Sequence, residues 1–449
     1  MQKGDKYIKI AEEFISFVNE SYTPFHAVKT AATMIESFGF MHLDEGKEWP
    51  KIVPGGKYYI TRNDTSIVAF TTGAKFKPEN GLKIVGAHTD SPNFAIKPHT
   101  ISESSGYQRI GVQCYGGGLW HTWFDRDLTV AGRVIVDREN PESVLIRINK
   151  PLMRIPTLAI HLCSVQERES FSPNKEKHLI PVISTKIEED LNNTVSNLHA
   201  KHCTPFFDAI CKEAVCKPDQ VVDFDLSVID YQEANIGGVN DEFIFAPRID
   251  NLLSCFCAIK AITDSTGIED ELMARVVCLF DHEEVGSNTA QGAGGTLIPD
   301  LIERLIDEQT FRSRLVANSF LLSVDGAHAV HPNYPEKHES AHLPKLHHGP
   351  VIKYNANARY ATNAWTAAVV KKLAKQAFIP IQEFVVKNDS PCGSTIGPIL
   401  STLSGIKTAD IGNAMLSMHS IREMCGTTDV YYLIELIKSF FKNYKNSSE

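Results

Sequence analysis

The sequence of 449 residues lacks several features that would assign it to other classes of protein. It has no apolar run near the ~20 residues that a membrane-spanning helix needs. Its first residues, MQKGDKYIKIAEEF, are charged and amphipathic, unlike a signal peptide. It has no Cys-x-x-Cys pair, so we expect its ten cysteines to be reduced thiols in a cytoplasmic protein. A net charge of −9 argues against a nucleic-acid-binding surface.

The length and the pattern of the chain predict two domains. A chain of 449 residues exceeds one ordinary domain. Amphipathic helical runs and apolar strand-like runs alternate at the start of the chain and again from about Asn235. From about Pro98, short β-branched runs separated by Gly and Pro replace them for roughly a hundred residues. This change of pattern predicts an α/β domain interrupted by an all-β insertion.

Strand-like apolar runs of the α/β part end in residues of the types that commonly bind metals. Because the carboxyl ends of strands gather the ligands of α/β sheets, we expect these side chains to converge. They are His88 and Asp90, Asp250, Glu283 and Glu284, Asp325, and His419 in the turn after Ile411. A set of His, Asp and Glu without Cys suits a catalytic Zn²⁺, Mn²⁺ or Co²⁺ site, and it has enough ligands for two ions.

The adjacent pair Glu283-Glu284 suggests a division of labour. One carboxylate can bind a metal while its neighbour takes the proton from an attacking water. The alternative is that Asp281-His282-Glu283-Glu284 is a solvated loop. That alternative is hard to hold for a segment that ends a strand as apolar as Arg275–Phe280.

Several motifs resemble the M18 family of metallo-aminopeptidases, the aspartyl aminopeptidases. The motifs of the α/β part are GAHTDSP (86–92), APRIDNL (246–252), FDHEEVGS (280–287), SVDGAHA (323–329) and NAMLSMHSIRE (413–423). Two others, YGGGLWHTWFDRDLTVAGRV (115–134) and RIPTLAIHL (154–162), resemble the inserted domain of the same family. The resemblance covers essentially the whole chain.

The resemblance implies a fold and an assembly. An α/β metallopeptidase domain of the phosphorylase/hydrolase-like class would comprise residues 1–94 and 236–449. A β-rich dimerisation domain would comprise residues 95–235. The subunits would form a homo-oligomer, a tetrahedral dodecamer built from dimers, in which His161 reaches the active site of a neighbouring subunit.

The resemblance also implies an activity, the removal of N-terminal acidic residues from peptides, and a role for each site residue. Five side chains would bind two zinc ions, with Asp250 as the bridging ligand: His88, Asp250, Glu284, Asp325 and His419. Glu283 would be the general base, and Asp90 would orient His88.

Substrate selection would depend on Lys353, which lies where the family places its acidic-residue pocket. An acidic side chain in a closed pocket needs a cationic partner. The alternative is an ordinary surface lysine on a strand. Vacuolar members of the family prefer neutral residues and carry an N-terminal propeptide. Because the first helix here is predicted to begin near Asp5, the sequence favours the cytosolic branch.

Two further segments have a structural and a functional interpretation. Six histidines crowd residues 328–348 and could form a metal cluster, but their spacings are loose. We expect a long loop that borders the active site or a subunit contact, with His328 and His342 as substrate-binding candidates. The turn at 388–395 offers Ser394 and backbone amides for the substrate or its oxyanion. The alternative is a turn that needs Gly393 for its backbone shape.

Two rival functions remain open at the level of sequence. A related metallohydrolase with Leu-type specificity, or a carboxypeptidase or deacylase, would use the same ligands with a different pocket. A metal-stabilised scaffold without catalysis is the non-enzymatic alternative, but a scaffold has no use for Glu283 as a free base.

Overall fold

The computed structural model describes residues 3–185, 201–306 and 309–445. The chain divides into two compact units. The first unit comprises Met1–Asp90, Ala234–Met418 and Glu423–Glu449. The second unit comprises Ser91–Glu233 and His419–Arg422. Helices and strands are numbered below in chain order through both units.

The first unit contains a mixed sheet of nine strands in the order β1-β2-β3-β13-β4-β14-β18-β16-β17. Its strands are β1 Met41–His42, β2 Lys57–Arg62, β3 Ser66–Thr72, β4 Leu82–His88, β13 Ala274–Phe280, β14 Phe320–Val324, β16 Val351–Tyr354, β17 Gln382–Val385 and β18 Lys407–Gly412. Strands β13, β4, β14 and β18 are parallel neighbours, and β3 and β16 join them antiparallel on either side. The carboxyl ends of the four parallel strands therefore lie at one edge of the sheet.

Helices cover both faces of this sheet. They are α1 Lys3–Glu20, α2 Pro24–Glu36, α5 Ile249–Asp264, α6 Leu297–Leu305, α7 Gln309–Asn318, α8 Ala364–Ala377, α9 Ile396–Ser404 and α10 Thr427–Asn443. Alternate residues of β4 face opposite ways, so that Val85 packs into one buried cluster and Ile84 into another. Burial on both faces explains why β4, β13 and β14 are almost continuously apolar. The predicted α/β fold is confirmed.

A smaller sheet of five strands also belongs to the first unit, in the order β11-β12-β20-β19-β15. Its strands are β11 Asn235–Gly237, β12 Phe243–Ala246, β15 Ala327–His328, β19 Ala414–Leu416 and β20 Glu423–Gly426. Strand β20 pairs antiparallel with β12, and Ala246 lies opposite Glu423. This pairing places Glu423 next to the chain that leads into α5.

The second unit contains an antiparallel sheet of six strands in the order β8-β7-β10-β5-β6-β9. Its strands and helices are β5 Asn93–Ser104, β6 Tyr107–Tyr115, β7 Leu128–Val136, β8 Glu142–Arg147, α3 Val165–Glu169, β9 Val182–Thr185, α4 Thr204–Glu213 and β10 Val221–Asp230. Phe94 packs against Trp120 and Trp123 in its core. The Gly-rich stretch 116–118, before Trp120, forms a loop.

The expectation of an all-β insertion is wrong, because α4 is a helix. Pro205 lies in its first turn, where the missing N–H costs no helical hydrogen bond. Phe206, Phe207 and Ile210 then fall on one face and are buried. The helix has only ten residues and follows a long series of β-branched runs. Its helical periodicity was therefore not recognised in the sequence.

The composition led to two expectations, reduced cysteines and no membrane-spanning helix. All ten cysteines are free thiols, and Cys255, Cys257 and Cys278 are fully buried. Within residues 3–185, 201–306 and 309–445, no helix has both the length and the apolarity to cross a membrane.

Candidate metal centre

The carboxyl edge of the nine-stranded sheet brings one histidine and several carboxylates together. His88 is the last residue of β4, and Phe280 lies beside it at the end of β13. The chain then passes from β13 into a short 3₁₀ turn, Glu283–Val285. Asp325 follows directly after β14, and Asp250 lies in the first turn of α5. The parallel strands thus produce the convergence that the sequence predicts.

Three carboxylates surround the imidazole of His88. Its Nε2 atom lies 3.4 Å from Oδ1 of Asp250 and 3.5 Å from Oδ1 of Asp325. Oε2 of Glu283 lies 3.9 Å from the same nitrogen. The side chains of His88 and Asp250 are almost completely buried. A buried imidazole that faces carboxylates on one nitrogen is poised to share a cation with them.

Asp90 fixes the other side of this ring and the turn that carries the glutamates. Nδ1 of His88 lies 3.0 Å from the carbonyl oxygen of Asp90 and 3.3 Å from its Oδ1. The two carboxylate oxygens of Asp90 accept the backbone N–H groups of Glu283 and Glu284, each at 3.1 Å. The single buried carboxylate therefore orients the His88 ring and the Glu283-Glu284 turn together.

The local backbone brings Asp250 to the site. Asp250 and Asn251 depart from helical φ and ψ angles inside α5, and the peptide bond between them is cis. The backbone N–H of Asp250 donates to Oε2 of Glu423 at 3.0 Å, and Nδ2 of Asn251 donates to the carbonyl oxygen of Val324 at 2.8 Å. These two bonds attach the start of α5 to β20 and to β14.

The donor set of this site fits a divalent metal ion. His88, Asp250 and Glu284 offer ligand atoms that all lie within 4.8 Å of one another. Imidazole nitrogens and carboxylate oxygens are both ligands of zinc in proteins. Because buried carboxylates that face one another repel, a shared cation lowers the cost of burying them. The donor chemistry and the convergence therefore support a resident metal here.

The pKa values of Glu283 and His88 reflect the same excess of negative charge. The pKa of Glu283 is raised to about 8, mainly because burial disfavours its charged form. Repulsion from Asp325, Glu284 and Asp250 adds to this shift, and His88 opposes it. Burial lowers the pKa of His88, but Asp250, Asp325 and Asp90 outweigh burial and raise that pKa well above its ordinary value. The carboxylates thus favour a positive charge at the position of His88.

Lys353 is buried in the first unit rather than exposed on its surface. Its side chain is only 3% exposed. Its Nζ donates to the carbonyl oxygen of Gly326 at 2.7 Å and lies 3.6 Å from Oδ2 of Asp325. The ring centroid of Tyr360 lies 5.1 Å from the same atom. The alternative of an ordinary surface lysine is therefore wrong.

The remaining candidates of the first unit lie in a short strand and in loops. His328 ends β15, is exposed and contacts the ring of Phe384. His342 pairs with Glu339 in the loop that leads to β16. Ser394 is exposed, and its hydroxyl donates to the carbonyl oxygen of Arg359 at 3.1 Å.

The histidine-rich segment forms a loop, as predicted. The backbone N–H of His331 donates to Nε2 of His338, which occupies that ring nitrogen. Within the described part of the chain, the group that could hold a metal is His88, Asp250 and Glu284, not a set from this loop. Gly393 has no positive φ angle, and an added Cβ would meet open space. The turn at 388–395 therefore does not need glycine at that position.

His161 and His419 both belong to the second unit. His161 is exposed in the 3₁₀ turn Ile160–Leu162. Nδ1 of His419 lies 3.1 Å from the carbonyl oxygen of Gly117, and the residue has a φ of 67°. A histidine held in this way through Nδ1 would bind a metal through Nε2.

Sequence reasoning did not single out three buried residues near these groups. Glu423 accepts the N–H of Asp250, Tyr360 lies beside Lys353, and Asp410 is completely buried in β18. Glu423 closes the quoted motif 413–423, so its acidic character beside His419 was the available signal. Asp410 and Tyr360 lie within a strand and a loop, and no local pattern marks them.

The fold and the site define a metallohydrolase, in which an α/β sheet presents imidazole and carboxylate ligands at the carboxyl ends of its strands. Residues 17–441 match the model of the family described as aminopeptidase I zinc metalloprotease (M18). The chain belongs to this family. It is therefore a metallo-aminopeptidase of a zinc-dependent family, and the predicted family and enzyme class are confirmed.

Individual relatives cover the chain almost completely. The aspartyl aminopeptidase of Dictyostelium discoideum is 47% identical, with 98% of each chain covered. A cryo-EM structure of the Ape4 and Nbr1 complex superposes with a TM-score of 0.95 at 45% identity, over 98% of this chain and 86% of that chain. A structure of the S. cerevisiae mApe1 dodecamer gives a TM-score of 0.86 at 32% identity, over 98% and 97% of the two chains.

Proposed function

We propose that this chain removes N-terminal aspartate and glutamate from peptides with two bound zinc ions. The observation that carries the proposal is the convergence of His88, Asp250 and Glu284 in a chain that is 47% identical to an aspartyl aminopeptidase over 98% of its length. The name of that relative states the acidic specificity, and the predicted function agrees with it. The buried cation Lys353 supplies a partner for an acidic side chain.

Five side chains are proposed as the metal ligands: His88, Asp250, Glu284, Asp325 and His419. Asp250 would bridge the two ions, and the hydrogen bonds of its backbone to Glu423 and of Asn251 to β14 would hold it in position. Bound zinc would polarise the scissile carbonyl and lower the pKa of a water. Mn²⁺ and Co²⁺ suit the same ligands. Elemental analysis of the purified protein should find two zinc ions per chain.

Glu283 is proposed as the general base. It lies beside the ligand Glu284, and its Oε2 lies 3.9 Å from Nε2 of His88, so its carboxylate is at the edge of the ligand cluster. It would take a proton from the attacking water and deliver that proton to the leaving amine. Asp90 would hold Glu283, Glu284 and His88 in position through the hydrogen bonds described above.

Lys353 is proposed to select the acidic side chain. The test compares hydrolysis of Asp- and Leu-aminoacyl substrates by the wild type and by Lys353→Leu. We expect kcat/KM for the Asp substrate to fall by about 10²-fold, because a charged recognition partner is lost. The zinc content and the Leu activity should remain.

The alternative specificity, a neutral Leu-type aminopeptidase, makes the opposite prediction. The contacts of Lys353 with Gly326 and Asp325 give that lysine a structural role that such an enzyme would also use. If the wild type prefers the Leu substrate and Lys353→Leu leaves the ratio of the two activities unchanged, Lys353 is not the selector.

His328, His342 and Ser394 are proposed to contact the substrate. His328 ends β15, two residues after Gly326 whose carbonyl oxygen accepts from Lys353. Ser394 is bonded to the loop of Arg359, which precedes Tyr360. Alanine variants of the three residues should raise KM more than they lower kcat.

The proposed assembly is a tetrahedral dodecamer built from dimers. The solved mApe1 relative is described as a dodecamer. In the second unit, Ile160, Leu162 and Val165 are 63%, 72% and 69% exposed, which is unusual for apolar side chains and favours a subunit contact there. His161 lies among them and would reach a neighbouring active site.

Native mass spectrometry tests this assembly. It should find a particle about twelve times the 49.9-kDa chain for the wild type. Leu162→Asp should give smaller species, because a charge at a buried apolar contact is costly. A wild type that runs as a monomer would contradict the proposal. A cytoplasmic location stays a prediction from the sequence.

A further inference from the structure

Asp410 is a carboxylate that the reaction outlined above does not use. It lies in the middle of β18, between Ala409 and Ile411, and its exposed fraction is 0%. A buried carboxylate is costly unless polar groups satisfy it. The groups that do so here are not on its own strand.

The carboxylate of Asp410 joins two separate loops. Its Oδ1 accepts the hydroxyl of Thr395 at 2.6 Å, and its Oδ2 accepts the backbone N–H of Ala361 at 2.6 Å. Its backbone N–H donates to Oγ1 of Thr362 at 2.8 Å. Thr395 ends the turn at 388–395, and Ala361 and Thr362 end the loop between β16 and α8. One side chain therefore holds the ends of both loops.

The packing at Gly397 shows how closely this carboxylate approaches α9. A Cβ atom added to Gly397 would lie 2.3 Å from Oδ1 of Asp410, a distance that no side chain can occupy. Thr395 caps the same helix by accepting the N–H of Gly397. Because a helix N-terminus favours negative charge, the position of Asp410 is specified by charge as well as by shape.

The loop that Asp410 holds carries the aromatic residue that covers Lys353. Tyr360 directly precedes Ala361, whose N–H is bonded to Asp410. The ring of Tyr360 is 7% exposed, and its centroid lies 5.1 Å from Nζ of Lys353. An ammonium group over an aromatic face is attracted to it, and the ring also limits where the lysine can move. The hydrogen bond from Ser394 to Arg359 links the same two loops a second time.

We propose that Asp410, acting through Ala361 and Tyr360, is the positioning residue that holds Lys353 for an acidic N-terminal residue of the substrate. This inference rests on the proposed function of Lys353. Asp410 does not touch the substrate. It fixes the two loops and thereby fixes the position of the Lys353 ammonium group relative to His88 and its surrounding carboxylates.

The test measures kcat/KM for Asp- and Leu-aminoacyl substrates in Asp410→Asn, with zinc content and thermal stability measured on the same samples. Asn has the same shape but offers one acceptor oxygen instead of two. We expect kcat/KM for the Asp substrate to fall by about tenfold or more, with KM rising, and the Leu value to change by less than about threefold. Zinc content should be unchanged.

A matched pair at Thr395 keeps the inference testable if Asp410→Asn does not fold. Thr395→Val removes the hydroxyl that donates to Asp410 and that caps α9, and Thr395→Ser keeps it. Thr395→Val should lower the ratio of Asp to Leu activity, and Thr395→Ser should keep the ratio of the wild type. Glu271→Gln, which disturbs a buried ion pair at the opposite edge of the sheet, should lower stability without changing the ratio.

The outcomes separate this inference from the proposed function. If Lys353→Leu changes the ratio but Asp410→Asn and Thr395→Val do not, Asp410 is structural and the inference is wrong. If the Asp410 and Thr395 variants lower both activities equally, the inference is also wrong. If Lys353→Leu itself leaves the ratio unchanged, the proposed function of Lys353 fails first.

Discussion

Strands β4 and β13 carry charged residues at both of their ends, and the two ends differ in their balance of charge. At the amino-terminal edge, Nζ of Lys83 lies 2.8 Å from Glu271, and Arg275 lies 3.1 Å from the same carboxylate. Nζ of Lys83 also donates to the carbonyl oxygen of Phe441 at 2.7 Å. Buried cations and a buried carboxylate satisfy one another there.

At the carboxyl-terminal edge, the carboxylates outnumber the side chains that could neutralise them. His88 ends β4, and Glu283 and Glu284 follow β13, with Asp250 and Asp325 beside them. The amino-terminal edge therefore pairs its buried charges within the chain, whereas the carboxyl-terminal edge has an excess of carboxylates that suits a bound cation. The comparison indicates that an excess of buried carboxylates marks the functional edge of this sheet.

Asp250→Asn should have the largest effect, because it removes a proposed metal ligand and one negative charge from the functional edge. We expect zinc content to fall and kcat/KM to drop by about 10³-fold or more, since metal ions supply several kcal/mol of transition-state stabilisation. Elemental analysis and hydrolysis assays measure both. Asp264→Asn, at the other end of α5 beside Lys260, should change neither. Full zinc content in Asp250→Asn would contradict the ligand assignment.

Glu283→Gln should separate catalysis from metal binding. The change keeps the size of the side chain and removes its ability to take a proton. We expect kcat to fall by about 10²- to 10⁴-fold, with zinc content and thermal stability close to those of the wild type. If turnover survives in fully metallated Glu283→Gln protein, Glu283 is not the base.

Glu271→Gln probes the amino-terminal edge, where we expect a loss of stability but no loss of activity. The change leaves Lys83 and Arg275 buried without their shared carboxylate, which costs about 3–5 kcal/mol. Denaturant unfolding of the zinc-loaded protein measures this. The folded variant should keep the kcat of the wild type. A stability equal to that of the wild type would show that the pair is not needed.

A smaller effect is expected at the amino-terminal edge, in the pH dependence of stability. The pKa of Lys83 is lowered from 10.5 to about 8, because burial disfavours its charged form more than Glu271 favours it. Between these values the unfolded chain holds a proton that the folded chain has lost. The stability of the wild type should therefore rise with pH between about 8 and 10, by about 1.4 kcal/mol per pH unit.

Lys83→Met is the control for this effect. It removes the titrating group, so the difference in stability between the wild type and the variant isolates the contribution of Lys83. Unfolding in denaturant at a series of pH values measures this difference. A difference that stays constant between pH 8 and 10 would show that Lys83 does not titrate in that range.

The sequence predicted the parts of the site that depend on strand ends. His88, Glu283, Glu284 and Asp325 follow apolar runs, and parallel strands bring the ends of such runs together. Asp250 was predicted in the same way, although it lies in the first turn of a helix. The individual roles of these residues came from the family resemblance, because the positions of the strand ends alone do not distinguish a ligand from a base.

The parts that escaped prediction depend on contacts between distant segments. Asp410 looks like an interruption of an apolar strand, and its significance appears only when Thr395 and Ala361 are seen beside it. Tyr360 lies in a loop without periodicity. Helix α4 was missed because ten residues of helical spacing followed a long β-rich stretch. Local patterns predict what a strand or helix buries, but they do not reveal which loops a buried polar group joins.

The most direct test of the account is hydrolysis of paired Asp- and Leu-aminoacyl chromogenic substrates by the wild type, before chelation, after chelation and after zinc is restored. We predict that Asp turnover dominates, disappears with the chelator and returns with zinc. Turnover of either substrate at an unchanged rate in protein shown to be free of metal would contradict the central claim that the carboxylate-rich edge acts by binding a cation.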